Sequence, residues 1–391
     1  MTSHPTGDPL SPLDRSLDVP ADEALGQVLG PDEHSSRGWR KLLVWSATSA
    51  PVGLLLTAGI AFGPRGINLL SPATLPFLDP VVPVALAALS VLVGLGVGGR
   101  ADDRRVFGAA CLVAAVTMVV VSAGIAVATL GPMSSIAPPS STLILISGIC
   151  AATSLTLPAG NPLEPRTTAS RVIELGVLLP IVAGGLVLAW LHTGSSAAAA
   201  LLVAQACGVT FALAAAAWLL LTRTGSETEE RVFAVSALLL VGGVADALSV
   251  SALLVGLAAG VFWRYAGRHP RETIGRDVLF VQHPLVVLVL LVAGARADLS
   301  TASLGLGLGY VVLRVVGLLA GGTVARPVAG VNAPRDLGLY VLPPGAFGVA
   351  FALNAVSVVG AEGSIMLAAV VVGTIGSELV AFLFPPRRAG E

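Results

Sequence analysis

Long apolar stretches alternate with short polar loops along most of the chain. From Lys41 to Phe384 each apolar stretch holds roughly 15 to 25 residues, the length that a helix needs to cross a bilayer. The loops between them are rich in charged residues, glycine and proline. This pattern predicts an all-α polytopic membrane protein with about 12 transmembrane helices. The predicted spans are residues 42–62, 79–98, 106–130, 141–158, 172–191, 197–221, 232–245, 248–263, 278–294, 302–323, 338–358 and 364–384.

The stretch at 232–263 is long enough for either one tilted helix or two short crossings. Gly242, Gly243 and Asp246 interrupt its apolar character, and glycine weakens a helix interior. We therefore predict two crossings here.

The distribution of basic residues gives an independent test of this topology. Arginine and lysine collect in cytoplasmic loops. With an even number of spans nearly all basic loops fall on one side of the membrane, and the other side keeps little more than Arg65 and Arg296. The charge pattern therefore predicts that both termini are cytoplasmic.

The two ends of the chain are polar. Residues 1–40 are rich in proline, aspartate, serine and glycine, which is typical of a disordered tail. We predict a cytoplasmic N-terminal tail at 1–40, a membrane domain at 41–385 and a cytoplasmic C-terminal tail at 386–391. The polar start of the chain does not have the form of a secretory signal.

The composition excludes two classes of protein. Only 12% of the residues are charged and the mean hydropathy is +0.88, whereas soluble domains carry roughly 25% charged residues. The formal net charge of −1 provides no basic field that would hold nucleic acid.

The sequence has no HExxH or GxSxG motif, and Cys111, Cys150 and Cys207 lie in apolar runs without metal-site spacing. We expect neither an enzyme nor a cofactor site.

Two predicted spans contain helix-breaking residues. The fourth span carries Thr153 and Ser154 shortly before Pro158, and the eleventh carries Pro344 and Gly345 inside an apolar run. Proline removes a helical hydrogen bond, so both spans are predicted to be kinked or unwound. The fourth and eleventh spans run in opposite directions, as the crossing helices of an inverted repeat do. Membrane helices also tolerate proline and glycine without any function, and this alternative stays open.

Three segments resemble motifs of one family, the monovalent cation:proton antiporters, in particular the bacterial sodium/proton and potassium/proton exchangers. The segments are Gly59-Ile-Ala-Phe-Gly-Pro-Arg-Gly, the helix Ser251-Ala-Leu-Leu-Val-Gly-Leu-Ala-Ala-Gly and the run from His283-Pro-Leu to Ala297-Asp-Leu. The resemblance covers most of residues 45–385. It implies an inverted-repeat fold in which spans three to five match spans ten to twelve. It also implies a homodimer in the inner (plasma) membrane. In each subunit a core domain would rock against a dimerisation domain and exchange Na⁺ or K⁺ for H⁺.

The resemblance also assigns residues to the ion pathway. Thr153 and Ser154 match the family's Thr-Ser pair in the fourth span, which implies contact with the transported Na⁺ or K⁺. Arg314 matches the basic residue at the centre of the tenth span. An arginine there costs about 2.5 to 3.5 kcal/mol on insertion scales, so it needs a partner or an aqueous cavity. Two roles are open for Arg314: a function in transport, or a structural bond to freed carbonyls or to a carboxylate near the crossing helices, beside Pro344 and Gly345.

The fifth span departs from the family pattern. The family's mid-helix aspartate falls here on Leu178 or Leu179, and leucine binds neither a proton nor a cation. The nearest acid is Glu174, one turn earlier on the same helix face. Glu174 either takes over the exchange of proton for cation, as a buried carboxyl can, or is an interfacial residue beside Arg171.

Three functions remain open at this point. The leading interpretation is a secondary active transporter that exchanges Na⁺ or K⁺ for protons by alternating access. The second keeps the fold but transports an organic anion or another solute, because the predicted centre has an arginine and no aspartate. The third is a non-transporting homologue, for which the missing aspartate is again the reason.

Overall fold

The computed structural model is all-helical in its described part, and this confirms the predicted fold class. The described residues are 52–97, 103–131, 140–154, 168–223, 226–330, 333–334, 336–360 and 362–384. The predicted tails at 1–40 and 386–391, residues 42–51 of the first span and Pro158 lie outside them.

The helices are numbered α1 to α15 in chain order. The first eight are α1 (Val52–Phe62), α2 (Leu75–Leu78), α3 (Val81–Gly96), α4 (Asp103–Leu130), α5 (Ser141–Ala151), α6 (Thr168–Gly176), α7 (Leu178–Thr193) and α8 (Ser196–Arg223). The others are α9 (Glu227–Ala247), α10 (Ala252–Ala266), α11 (Arg268–Arg296), α12 (Thr301–Ala329), α13 (Leu337–Tyr340), α14 (Ala346–Val359) and α15 (Glu362–Leu383).

The described helices can be grouped into twelve successive segments, the number of spans predicted from the sequence. In the described part, seven helical segments are long and apolar enough to span a membrane, and four shorter ones (α1, α5, α10 and α14) are apolar. With α9 they make twelve successive segments. Helices α2 and α3, α6 and α7, and α13 and α14 each belong to one segment.

Several helices extend beyond the apolar stretch that revealed them. Helix α11 begins at Arg268, ten residues before the predicted span at 278–294, and α12 continues to Ala329 rather than to residue 323. Hydropathy detects the part of a helix that lies in hydrocarbon, so it misses polar turns that continue into the aqueous phase.

Residues 232–263 form two helices, as predicted, but the break is at a different place. Gly242, Gly243 and Asp246 all lie inside α9, and the chain reverses at Ser249, which has a φ of 49°. Gly242 allows a close approach, since a Cβ atom there would lie 2.6 Å from the Cα atom of Val84. Gly242 therefore serves packing, a Cβ atom at Gly243 would meet nothing within 4 Å, and neither glycine ends the helix.

Most contacts between helices lie within two groups. The crossover group consists of α4–α7 and α12–α15, and it contains the predicted spans three to five and ten to twelve. The flanking group consists of α1–α3 and α8–α11. Fewer contacts join the groups, mainly between α7 and α8, α1 and α15, α11 and α14, α11 and α15, and α7 and α10.

Inside the flanking group α3 and α10 touch backbone to backbone. A Cβ atom on Gly260 would lie 2.4 Å from the Val91 carbonyl oxygen, and one on Gly94 would lie 2.6 Å from the Leu257 carbonyl oxygen. Small residues let membrane helices approach this closely. The glycines of the Ser251–Gly260 motif thus have a packing role.

The two ends of the helix bundle are named after residues that lie there. The Asp246 end holds the termini Phe62, Ala247 and Arg296, and the Arg326 end holds the opposite termini. Ion pairs join Arg65 to Asp298 and Arg296 to Asp79 at the Asp246 end. The hydrogen bond from Arg65 lowers the pKa of Asp298, which lies in a loop outside the spans.

Candidate functional site

The two spans that were predicted to be broken are both interrupted near the middle of the crossover group. Helix α5 begins with Ser140 as its cap, whose Oγ accepts from the Leu143 amide at 3.1 Å, and it ends at Ala151. Helix α13 ends at Tyr340, and α14 begins at Ala346 after Pro344 and Gly345. Helices α5 and α14 pack against each other, so the two interruptions lie side by side.

Arg314 joins the two interruptions. It lies at the middle of α12, with 2% of its surface exposed. Its Nε donates to the Ala151 carbonyl at 3.1 Å and its Nη2 to the Thr153 carbonyl at 3.1 Å, both at the end of α5. Its Nη1 donates to the Leu342 carbonyl at 3.0 Å, in the other interruption. Of the two roles left open by the sequence, the structural bond to freed carbonyls is the one observed.

These bonds explain how a buried positive charge is tolerated. The last carbonyls of a helix have no partner within the helix and carry the negative end of its dipole. Arg314 satisfies such carbonyls at the end of α5 and after α13. A guanidinium has five N–H donors in a planar fork, so two N–H groups remain beyond these three bonds.

Thr153 and Ser154 lie directly at the first interruption, and both are buried. The Thr153 hydroxyl donates to the Cys150 carbonyl at 2.7 Å, which leaves its oxygen lone pairs free to bind a cation. Gly348 on α14 lies against this hydroxyl. A cation here would have hydroxyl ligands, but the nearby carbonyls already bind Arg314.

Glu174 lies on α6, whereas Thr153 and Ser154 follow α5 and Arg314 lies on α12. Glu174 is half-buried on α6, whose buried residues Ala169 and Val172 belong to an apolar cluster with residues of α4 and α12. Arg314 bonds to carbonyls rather than to Glu174. The structure thus brings Thr153, Ser154, Pro344 and Gly345 together around Arg314, while α6, which carries Glu174, supplies none of the three carbonyls that bind Arg314.

The fifth span consists of two helices that meet at Val177, beside the leucines at which the sequence resemblance led us to expect an aspartate. Helix α6 ends at Gly176 and α7 begins at Leu178, because Pro180 has no amide to donate to the Gly176 carbonyl. Leu178 is buried in the main apolar cluster and Leu179 is half-buried. The place at which a carboxyl group was expected is therefore apolar.

Sequence reasoning missed two buried neighbours of the site. Tyr310 lies one turn before Arg314 on the same face of α12 and packs against Gly373. Gly348 permits the contact between α14 and α5. The four-residue spacing from Arg314 could have indicated Tyr310, whereas nothing in the sequence separates Gly348 from the other glycines.

Glu378 is an acid within a span, and it binds a second helix. It lies on α15 near the Arg326 end, and its carboxylate accepts from the Gly53 amide at the start of α1. A carboxylate suits this place because the first amides of a helix lack partners and carry the positive end of the dipole.

Replacing Glu378 by alanine is expected to lower the stability of the protein by about 1 kcal/mol, because the start of α1 loses its acceptor. Glu378→Gln keeps an acceptor oxygen and should lose less. Thermal unfolding in detergent would measure both variants. Equal losses for alanine and glutamine would show that this hydrogen bond contributes nothing.

The described residues contain no cluster of three histidine, cysteine, aspartate or glutamate side chains that could hold a metal ion. The oxygen atoms near Arg314 are carbonyls and hydroxyls. Such neutral ligands suit a weakly held monovalent ion better than a resident transition metal.

Comparison with known proteins is informative at the level of structure. No protein-family model matches the sequence, and no curated protein matches it significantly. Among solved structures, the sodium proton antiporter MjNhaP1 from Methanocaldococcus jannaschii is similar, with a TM-score of 0.60 and 16% sequence identity. The match covers 87% of this chain and 94% of that chain. The two interrupted spans, the buried arginine and this match together show that the chain has the fold of a sodium/proton antiporter.

Proposed function

We propose that the chain is a secondary active transporter that exchanges a monovalent cation, Na⁺ or K⁺, for protons by alternating access. The observation that carries this proposal is the pair of interrupted spans joined by Arg314 at mid-membrane. Unwound backbone at this depth is tolerated where protein buries it or where it lines a cavity, and transporters bind their substrates at such places. Neither a resident cofactor nor enzymatic chemistry is part of this proposal.

Exchange requires a group that binds a proton or a cation, but not both together. In this proposal Glu174 has that role, since Leu178 and Leu179 cannot. The carboxyl releases its proton on one side, binds the cation with help from the Thr153 and Ser154 hydroxyls, and takes up a proton again on the other side. For this, the Glu174 carboxyl on α6 has to come within reach of the Thr153 and Ser154 hydroxyls at some stage of the cycle.

Glu174→Gln is expected to abolish cation-dependent proton flux, because glutamine does not titrate. The measurement uses proteoliposomes with an internal pH-sensitive dye and additions of Na⁺, K⁺ and Li⁺ in turn. Glu229→Gln is the matched control, since Glu229 is exposed in the first turn of α9. Wild-type flux in Glu174→Gln would overturn the assignment of Glu174.

A second candidate function is transport of an organic anion. Two observations favour it: Arg314 has two N–H groups beyond its carbonyl bonds, and the expected carboxyl position is occupied by Leu178. A carboxylate binds a guanidinium well in a buried site. Uptake of labelled carboxylates, without any cation-dependent proton flux, would support this function, and no flux of either kind would favour a non-transporting homologue.

We further propose a plasma-membrane homodimer with the Arg326 end in the cytoplasm. The support is the concentration of basic residues at that end and the family resemblance. Impermeant labelling of a cysteine placed at Arg65 or at Arg326 would determine the orientation. Light scattering of the purified protein would determine the oligomeric state.

A further inference from the structure

A buried polar contact joins the crossover group to the flanking group at the Asp246 end. Asn354 lies on α14, and Ser251 caps the start of α10. The Asn354 Oδ1 accepts from the Ala252 amide at 3.2 Å, and its Nδ2 donates to the Ser251 Oγ at 3.2 Å. One side chain of the crossover group therefore uses both its donor and its acceptor at the first residues of a flanking helix.

Because this contact is buried, it favours one arrangement of α14 and α10. Asn354 is 2% exposed and Ser251 is fully buried. A buried amide without partners is unfavourable, so the contact holds only while α14 and α10 keep their present distance. By contrast, the nearby contact between α7 and α10 is apolar: Gly185 lies against the Leu254 side chain. Apolar surfaces can slide past each other with less loss than a pair of directional hydrogen bonds.

A small polar cavity lies beside this contact. It has a volume of about 30 Å³ and is lined by both groups, with Asp246 and Ser249 on the flanking side and Asn354 and Ser357 on the other. A cavity of this size and polarity holds water. Since Asp246 and Ser357 are exposed, water from the Asp246 end can replace the hydrogen bonds of Asn354 when the two groups separate.

We propose that Asn354 is a latch that closes the Asp246 end of the boundary between the two groups, and that it opens whenever the Arg314 site becomes accessible from that end. The inference rests on the proposed alternating access. Asn354 touches no proposed substrate ligand, so it acts by positioning: it sets the fraction of molecules that are open towards the Asp246 end.

The test measures accessibility instead of transport. Ser154→Cys, in a background with Cys111, Cys150 and Cys207 replaced by alanine, places one reactive thiol at the site. A membrane-impermeant thiol reagent is added to either side of proteoliposomes, and the modification rate is measured. We expect Asn354→Leu to raise the rate from one side by about three- to tenfold, as the loss of one or two hydrogen bonds implies.

Further variants show whether a change in the modification rate is due to the hydrogen bonds of Asn354. In Asn354→Asp the carboxylate can accept from both the Ala252 amide and the Ser251 hydroxyl, so the rate should stay near that of the parent. Ser357→Ala is the matched control, because Ser357 lines the same cavity but donates to the Asn354 carbonyl of its own helix. If Asn354→Leu does not fold, Ser251→Ala removes one of the two bonds and should give a smaller increase from the same side.

The outcomes separate the latch from the proposed exchange. Equal rates in the parent, Asn354→Leu and Ser357→Ala would overturn the latch, as would an equal increase from both sides, which indicates a loosened fold. A one-sided increase supports the latch even if no cation drives proton flux in the parent protein. Cation-driven flux with no change in modification rate would leave the proposed function in place and remove the latch.

Discussion

Arg314→Leu is expected to destabilise the protein by about 3–5 kcal/mol and to abolish any transport. The substitution leaves the carbonyls of Ala151, Thr153 and Leu342 buried without a donor, and it removes the charge that offsets two helix ends. Arg314→Lys keeps the charge, but an ammonium group lacks the planar fork that reaches both interruptions, so its loss should be intermediate. Thermal unfolding in detergent measures both variants.

The control for Arg314 lies on the same helix. Arg326 is exposed in the last turn of α12, and Arg326→Leu should change the stability little. A small loss for Arg314→Leu, similar to that of Arg326→Leu, would mean that the carbonyls find other donors, such as water. The two interruptions would then contain more water than the burial of Arg314 implies.

Gly348→Ala is expected to destabilise the protein by about 1–3 kcal/mol and to disturb the Thr153 hydroxyl. The added Cβ atom would lie 2.6 Å from Thr153 Oγ1 and 2.8 Å from the Cys150 carbonyl oxygen. The carbonyl belongs to the backbone and cannot move aside as a side chain can, so α14 must shift away from α5. Loss of cation-dependent flux, measured beside the unfolding temperature, would report the displaced hydroxyl.

Gly309→Ala provides the comparison for Gly348→Ala. A Cβ atom at Gly309 would meet nothing within 4 Å. Alanine in a helix interior is favoured over glycine by about 0.5–1 kcal/mol, so this variant should be unchanged or slightly more stable. If both variants behave alike, the close approach of α14 to α5 is not the reason for glycine at 348.

The sequence predicted the helical segments and the two interruptions because both depend on local chemistry. Apolar runs of membrane length identify spans, and proline beside glycine, as at Pro344 and Gly345, disfavours a continuous helix. The ends of α11 and α12 were less accurate, since a helix outside hydrocarbon needs no apolar residues. Gly242 and Gly243 were predicted to break a helix, but both lie inside α9, and the close packing at Gly242 depends on Val84 of the neighbouring helix α3.

The candidate site was less predictable because it depends on distant contacts. The sequence placed Arg314 at the centre of its span but left its partners open, since Ala151 and Leu342 lie 163 and 28 residues away along the chain. Nor could it place Glu174, whose distance from the site depends on how α6 packs against α4. The hydrogen bonds of Asn354 with Ser251 and Ala252 also join residues that are distant along the chain, and no sequence motif indicates these bonds.

The glycine contacts between α3 and α10 have a mechanical consequence. Where Gly94 and Gly260 bring two backbones together, no side chain lies between them that could change rotamer and absorb a displacement. We therefore expect α3 and α10 to move as one unit when the molecule changes conformation, and relative movement of helices to occur elsewhere, such as at the boundary with the crossover group.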